Sequence, residues 1–143
     1  MDARVLVVAD NDDVLDGISA WLAVCPGFEV AGVAHTAREA YDRTHLHSPD
    51  IVLMSLSMPG TNGLAAARLI KARAEAPLVI LMTLHDVDAV REHAAAAGAD
   101  GCLSMARLIE DFPRVAGDLW RDRRVLRATV RKLETRRAPE IEG

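Results

Sequence analysis

The sequence holds only two cysteines, Cys25 and Cys102, too few for a disulfide framework, and no Cys/His spacing along it matches a zinc site. Both read as structural thiols. No apolar run approaches the roughly 20 residues that span a bilayer, and the opening Met1-Asp2-Ala3-Arg4 lacks the basic start and apolar stretch of a secretory signal. These absences point to a cytoplasmic protein with no membrane contact. Internal repeats and low-complexity segments are missing as well, apart from Ala-rich helical turns. Beyond Trp120 the C-terminal stretch offers no aromatic ring on which a base could stack.

What is present fits one domain with an appendage. The chain has 143 residues, 50% of them hydrophobic and 27% charged, enough for a substantial core and too few for two ordinary domains. A formal charge of −4 conceals an asymmetry. Residues 1–119 carry nine lysines and arginines against seventeen acids, a balance of −8, while residues 120–137 carry eight against two, a balance of +6. An acidic body bears a basic tail. The expected organisation is a body over 1–119, a helical extension or linker over 120–137 and a disordered end over 138–143.

Five times a short β-branched run alternates with a stretch of helical period, the pattern of a parallel sheet with helices on both faces. The spacing predicts strands at Arg4 to Val8, Phe28 to Ala34, Ile51 to Ser55, Leu78 to Thr83 and Gly101 to Ser104. Three are nearly all apolar, as suits strands covered on both sides. Val14, Ile18 and Leu22 mark one face of a first helix, and Thr36-Ala37-Arg38-Glu39 fits a capping box for a second. A third helix is expected from Leu64 to Ala74, ahead of Pro77, and a fourth from Asp86 to Ala97, with Gly98 placed to turn left-handed at its end. Pro113 suits a first helical position.

In open sheets of this kind, chemistry collects beyond the carboxyl ends of the strands. The residues there are Ala9 to Asp13, Ser55 to Gly60, Thr83 to Asp86 and Ser104 to Ala106. Their order is specific. Val5-Leu6-Val7-Val8-Ala9-Asp10, Pro49 to Ser55, Met58-Pro59-Gly60 with Asn62-Gly63, Thr83 and Ala97-Gly98-Ala99-Asp100-Gly101 together resemble the receiver (CheY-like) domain of bacterial two-component response regulators. Leu15-Asp16-Gly17-Ile18 and Gly98 to Gly101 look most like the branch that carries helix-turn-helix outputs. The resemblance implies a flavodoxin-like (βα)5 doubly wound parallel sheet of strand order 2-1-3-4-5, with an extended C-terminal helix.

It also implies a phosphorylation site, and there the chain departs from the pattern. A receiver phosphorylates an aspartate at the end of its third strand, using Mg²⁺ held by acids after the first. A lysine after the fifth strand and a hydroxyl after the fourth contact the phosphoryl group, and an aromatic residue on the fifth reports it. Laid onto this sequence, the phosphoacceptor is Ser55, the acids are Ala9 and Asp10, the hydroxyl is Thr83, the lysine is Met105 and the aromatic is Cys102. Serine cannot form an acyl phosphate, and it offers no carboxylate to a hard cation. Met105 forfeits on the order of 4 kcal/mol of gross Coulomb attraction at an effective dielectric near 20. These losses together imply a pseudo-receiver that needs no phosphorylation and no cofactor, is not an enzyme, and serves as a protein-interaction or dimerisation module.

Other readings of the same residues are weaker. A Ser55, His85, Asp10 triad lacks the strained strand-to-helix elbow a nucleophilic serine needs. A metal site at Asp10, Asp12 and Asp13 competes with the plainer role of Asp12 or Asp13 as a helix cap. A phosphate ester on Ser55 would stand beside Asp10 with no lysine to pair it. A small organic ligand in the crevice is the strongest alternative, because Ala9, Cys102 and Met105 lower its charge.

In the tail, Leu119, Leu126 and Leu133 recur every seven residues with Val115 and Val130 nearby, a short coiled-coil seam through which two chains could pair. Its arginines, Arg121 to Arg137, run around the helix, so a solvated face is preferred over direct nucleic-acid binding. No helix-turn-helix follows Arg137, so a DNA-binding output domain is either absent or missing from this chain. Asp86 to Leu119 is the expected surface for a heterologous signalling partner.

Overall fold

The computed structural model describes residues 2–58 and 62–142. Pro59 and Gly60 of the Met58-Pro59-Gly60 motif lie outside the described residues, as does Gly143 at the end of the expected disordered segment. Five parallel strands, β1 (Ala3–Val8), β2 (Phe28–Ala34), β3 (Ile51–Ser55), β4 (Leu78–Thr83) and β5 (Gly101–Ser104), form one sheet in the order β2-β1-β3-β4-β5. The strand order and four of the five strand ranges match the sequence expectation, and β1 begins one residue early.

Alternation along each strand builds a core on both faces. Val5, Val7, Ile51, Leu53, Ile80 and Met82 point to one side, where α1 (Asp12–Ala23) and α5 (Leu108–Glu142) cover them. Leu6, Val8, Val52, Met54, Val79 and Leu81 point to the other, under α2 (Ala37–His47), α3 (Gly63–Lys71) and α4 (Val87–Ala96). All twelve are fully buried, each worth roughly 1.5–3 kcal/mol of transfer free energy. Phe112 locks α5 in place: its ring centroid lies 5.9 Å from Trp21 and 5.2 Å from Phe28.

The helix boundaries follow local chemistry, with corrections to the sequence reading. Asn11 caps α1 by accepting from the Val14 amide at 3.1 Å, so Asp12 and Asp13 sit in the first turn instead of at the cap. Asparagine holds the extended backbone that a cap requires. At α2 the Thr36 hydroxyl accepts from the Glu39 amide, but the Glu39 carboxylate takes the amide of His35 and not that of Thr36. α3 ends three residues before Ala74, where Ala72 closes the last turn onto Arg68 and the Arg73 amide tightens onto Ile70. Gly98 adopts φ +90° after α4, as expected.

α5 departs most. It starts at Leu108, after a 3-10 turn over Met105–Arg107, so Pro113 lies in its second turn and not at its first position. The Ser104 hydroxyl, accepting from the Ala106 amide, starts the turn that nucleates it. The backbone then continues to Glu142, through most of the segment expected to be disordered. Among the described residues no helix is long and apolar enough to cross a membrane.

Candidate functional site

The parallel sheet brings the ends of β1, β3 and β4 to one edge. Val8 pairs with Met54, Ser55 with Met82, and Thr83 with Ser104. Beyond these ends opens a crevice of about 380 Å³, lined by Ala9, Asp10, Ser55, Thr83 and Met105, together with Asn11, Val14, Ser57, Met82, Leu84 and His85. Five of the six positions singled out in the sequence therefore meet at one place. Cys102 does not join them. One residue before Leu103 in an alternating strand, its side chain turns to the opposite sheet face and packs beside the core under α3 and α4. Burial pushes its thiol pKa up, against a smaller downward pull from Arg91.

The Ser55 and Thr83 hydroxyls are both engaged within their own loops. Ser55 is 8% exposed, and its hydroxyl donates to the Ser57 carbonyl at 3.0 Å. The Thr83 hydroxyl accepts from the His85 amide at 3.0 Å. Gly63 holds the first of these loops tight. Its amide donates to the Leu56 carbonyl at 2.8 Å, and a Cβ added there would stand 2.6 Å from the Ser55 carbonyl oxygen. Only a residue without a side chain fits so close an approach.

The wall opposite is apolar. Met105 packs half-buried against the core beneath α1 and α5, and Ala9 is 2% exposed. Asp10 is exposed at the rim, and among the described residues it is the one carboxylate that lines the crevice.

These donors decide what the crevice can hold. Mg²⁺ asks for near-octahedral oxygen ligation with one or two carboxylates and a phosphate. Here Ala9 contributes no ligand and Ser55 offers a neutral hydroxyl in place of a carboxylate. Asp12, the second metal candidate, instead meets His35 Nε2 at 2.7 Å, and Asp13 borders a different, apolar groove beside Trp21. Among the described residues no group of three His, Cys, Asp or Glu side chains is placed to hold a metal ion. The residues present do not fit the divalent cation a working receiver uses. Nor do Ser55, His85 and Asp10 form a triad: among the described residues no hydrogen bond connects them, and both His85 and Asp10 are exposed.

Two participants escaped the sequence reading. The Ser57 backbone carbonyl accepts from the Ser55 hydroxyl, a local serine turn that any residue at position 57 could complete. The His85 amide, not its ring, meets Thr83; backbone donors leave no mark in a sequence.

Residues 5–106 match the family described as response regulator receiver domain. Among curated relatives, the response regulator GacA of Pseudomonas viridiflava is 36% identical over 101 residues, covering 71% of this chain and 47% of the relative. The transcriptional regulatory protein PdtaR of Mycobacterium tuberculosis is 35% identical over 109 residues, 76% of this chain and 50% of the relative. The chain thus spans about half the length of the curated relatives it matches. Among solved structures, a LuxR-family two-component response regulator from Aurantimonas sp. SI85-9A1 superposes with a TM-score of 0.79 at 29% identity, over 85% of this chain and 87% of that one. The order of strands, the matched span and these relatives lead to one statement: the chain belongs to the family of response regulator receiver domains.

Proposed function

We propose that this receiver domain works without phosphorylation, as an interaction and dimerisation module in bacterial signal transduction or transcriptional regulation. The observation that carries the proposal is the Ser55 hydroxyl, buried at the end of β3 and donating to the Ser57 carbonyl. A side chain with no carboxylate, whose proton is already held by its own loop, is a poor acceptor for a phosphoryl group. Ala9 and Met105 on either side supply neither a metal ligand nor a counter-charge.

The output side of the proposal rests on α5. Val115, Leu119 and Trp120 pack against the body, while Leu126, Val130 and Leu133 continue the same stripe into solvent. Large apolar side chains left exposed along one helical stripe favour pairing with a second helix. The names of the relatives, transcriptional regulators among them, support a role in gene control.

Light scattering tests the dimer directly, on residues 1–143 and on a chain ending at Asp118. The expected result is a dimer that becomes a monomer on truncation; two monomers would remove dimerisation from the proposal. Acetyl phosphate with Mg²⁺ tests the rest, since the intact mass is expected to gain no phosphoryl group.

A second reading is favoured by the crevice itself. About 380 Å³ walled by Val14, Met82, Leu84 and Met105 is within the roughly 300–1,000 Å³ of small-molecule sites, and a ligand-sensing domain could use it. Native mass spectrometry would detect a co-purified molecule of constant mass, and repeated ligand-free preparations would count against this reading.

A further inference from the structure

At the opposite end of the sheet the tail of α5 passes beneath the body, and a cleft of about 720 Å³ opens between the two. Four arginines line it. Arg73 comes from the turn after α3, and Arg123, Arg127 and Arg131 come from the tail. The last three follow one another at intervals of four, which places them on one side of the helix. The tail arginines as a set were read from the sequence as running around the helix; these three face one cleft.

The four guanidinium groups are short of negative charge. Among the described residues none makes an ion pair within 4.0 Å; Arg68, Arg124 and Arg136 outside the cleft are likewise unpaired, so what sets these four apart is their gathering at one cleft. Three acids border the same cleft, yet they leave the arginines unpaired. Asp50 accepts from the Arg4 amide at 2.9 Å, and Glu75 and Glu134 form no ion pair among the described residues. Arg73 Nη1 is buried with no hydrogen-bond partner, a costly state for a charged donor. Arg123 is half-buried and spends Nη1 on the Ala76 carbonyl at 2.7 Å. Burial, then the neighbouring Arg127 charge, pull its pKa down, against smaller upward pulls from Asp100 and Asp50. Like charges spaced four apart on a helix repel, and an anion seated among them would relieve that repulsion.

We propose that this cleft binds a small ligand carrying two adjacent phosphates, seated between Arg73 on the body and Arg127 and Arg131 on the tail. Planar guanidinium forks match phosphate oxygens in bidentate fashion. The cleft volume suits a ligand of nucleotide size. Leu126 and Val130, 64% and 43% exposed at the same cleft, give a non-phosphate moiety an apolar surface, for which it would compete with a second helix paired on the tail. A ligand held from both walls fixes the direction of the tail helix, so occupancy would govern how the tail is presented. This inference is independent of whether Ser55 accepts phosphate.

Calorimetric titration of the full chain with inorganic pyrophosphate, and separately with a nucleoside diphosphate, tests it. Both are expected to bind saturably, and R73Q and the double variant R127Q/R131Q should each weaken binding at least about tenfold. Arg91→Gln removes the same charge far from the cleft and should change affinity less than about twofold. Folding of each variant is checked by its circular dichroism. The proposal is overturned if neither ligand saturates, or if Arg91→Gln weakens binding as much as the cleft variants. A short oligonucleotide that binds more tightly than either diphosphate, with the same sensitivity to the cleft variants, would also overturn it in favour of nucleic-acid phosphates.

Discussion

The two ends of one sheet have opposite characters. At the carboxyl end, where receivers keep their chemistry, the crevice is walled by Ala9, Val14, Met82 and Met105, and the Ser55 and Thr83 hydroxyls are bonded into their own loops. At the amino end the cleft beneath α5 gathers four arginines, none of them in an ion pair among the described residues. Neither end dictates the fold, because the twelve core residues of the central strands lie between them. A fold can therefore keep its architecture while its charged groups lie elsewhere than the inherited site.

The largest effect is expected from releasing α5, whose tail arginines form one wall of the amino-end cleft. Phe112→Ala removes the ring that meets Trp21 and Phe28, and is expected to cost roughly 3–5 kcal/mol in urea denaturation. Loss below about 1 kcal/mol would mean that α5 is held by something other than this contact.

A narrower change separates the ends. Gly63→Ala places a methyl 2.6 Å from the Ser55 carbonyl and should destabilise by roughly 1–3 kcal/mol. Amide chemical shifts should move around Ser55 and Leu56 and stay unchanged around Arg73 and Arg123. Shifts at both ends would show that the two sites are coupled.

The smallest effect is on pH dependence. Burial raises the Cys102 thiol pKa above its ordinary value of 9.0. Below that value both folded and unfolded chains hold the proton, so Cys102 contributes no slope. As pH rises past 9.0 the unfolded thiol ionises first, and stability falls until the folded thiol ionises in turn. Cys102→Ala should flatten the alkaline limb of the stability curve; an unchanged limb would assign the slope to other groups.

Much of this was legible in the sequence, for identifiable reasons. The strands stood out because Val5 to Val8, Ile51 to Met54 and Leu78 to Met82 are unbroken apolar runs, and burial on both faces leaves no room for polar residues. The crevice followed because parallel strands bring their ends to one edge, so Ala9, Ser55 and Thr83 had to meet. Cys102 was misjudged by treating position along β5 as position in the site, when alternation sends it to the other face. Pro113 misled because proline marks a first helical position only in the absence of an earlier nucleus, here the turn at Ser104. The arginine cleft could not be read at all: Arg73 and Arg123 are fifty residues apart in the chain, and only the path of the tail beneath the body brings them together.

The central claim is that the carboxyl-end crevice no longer answers to phosphoryl chemistry. Its most direct test is an amide chemical-shift titration with Mg²⁺ and beryllofluoride, run on the natural chain and on a variant that restores the lost groups, Ala9→Asp, Ser55→Asp and Met105→Lys. The account predicts saturable shifts near the crevice in the restored variant and none in the natural chain. Saturable shifts around Ser55 and Thr83 in the natural chain would contradict it.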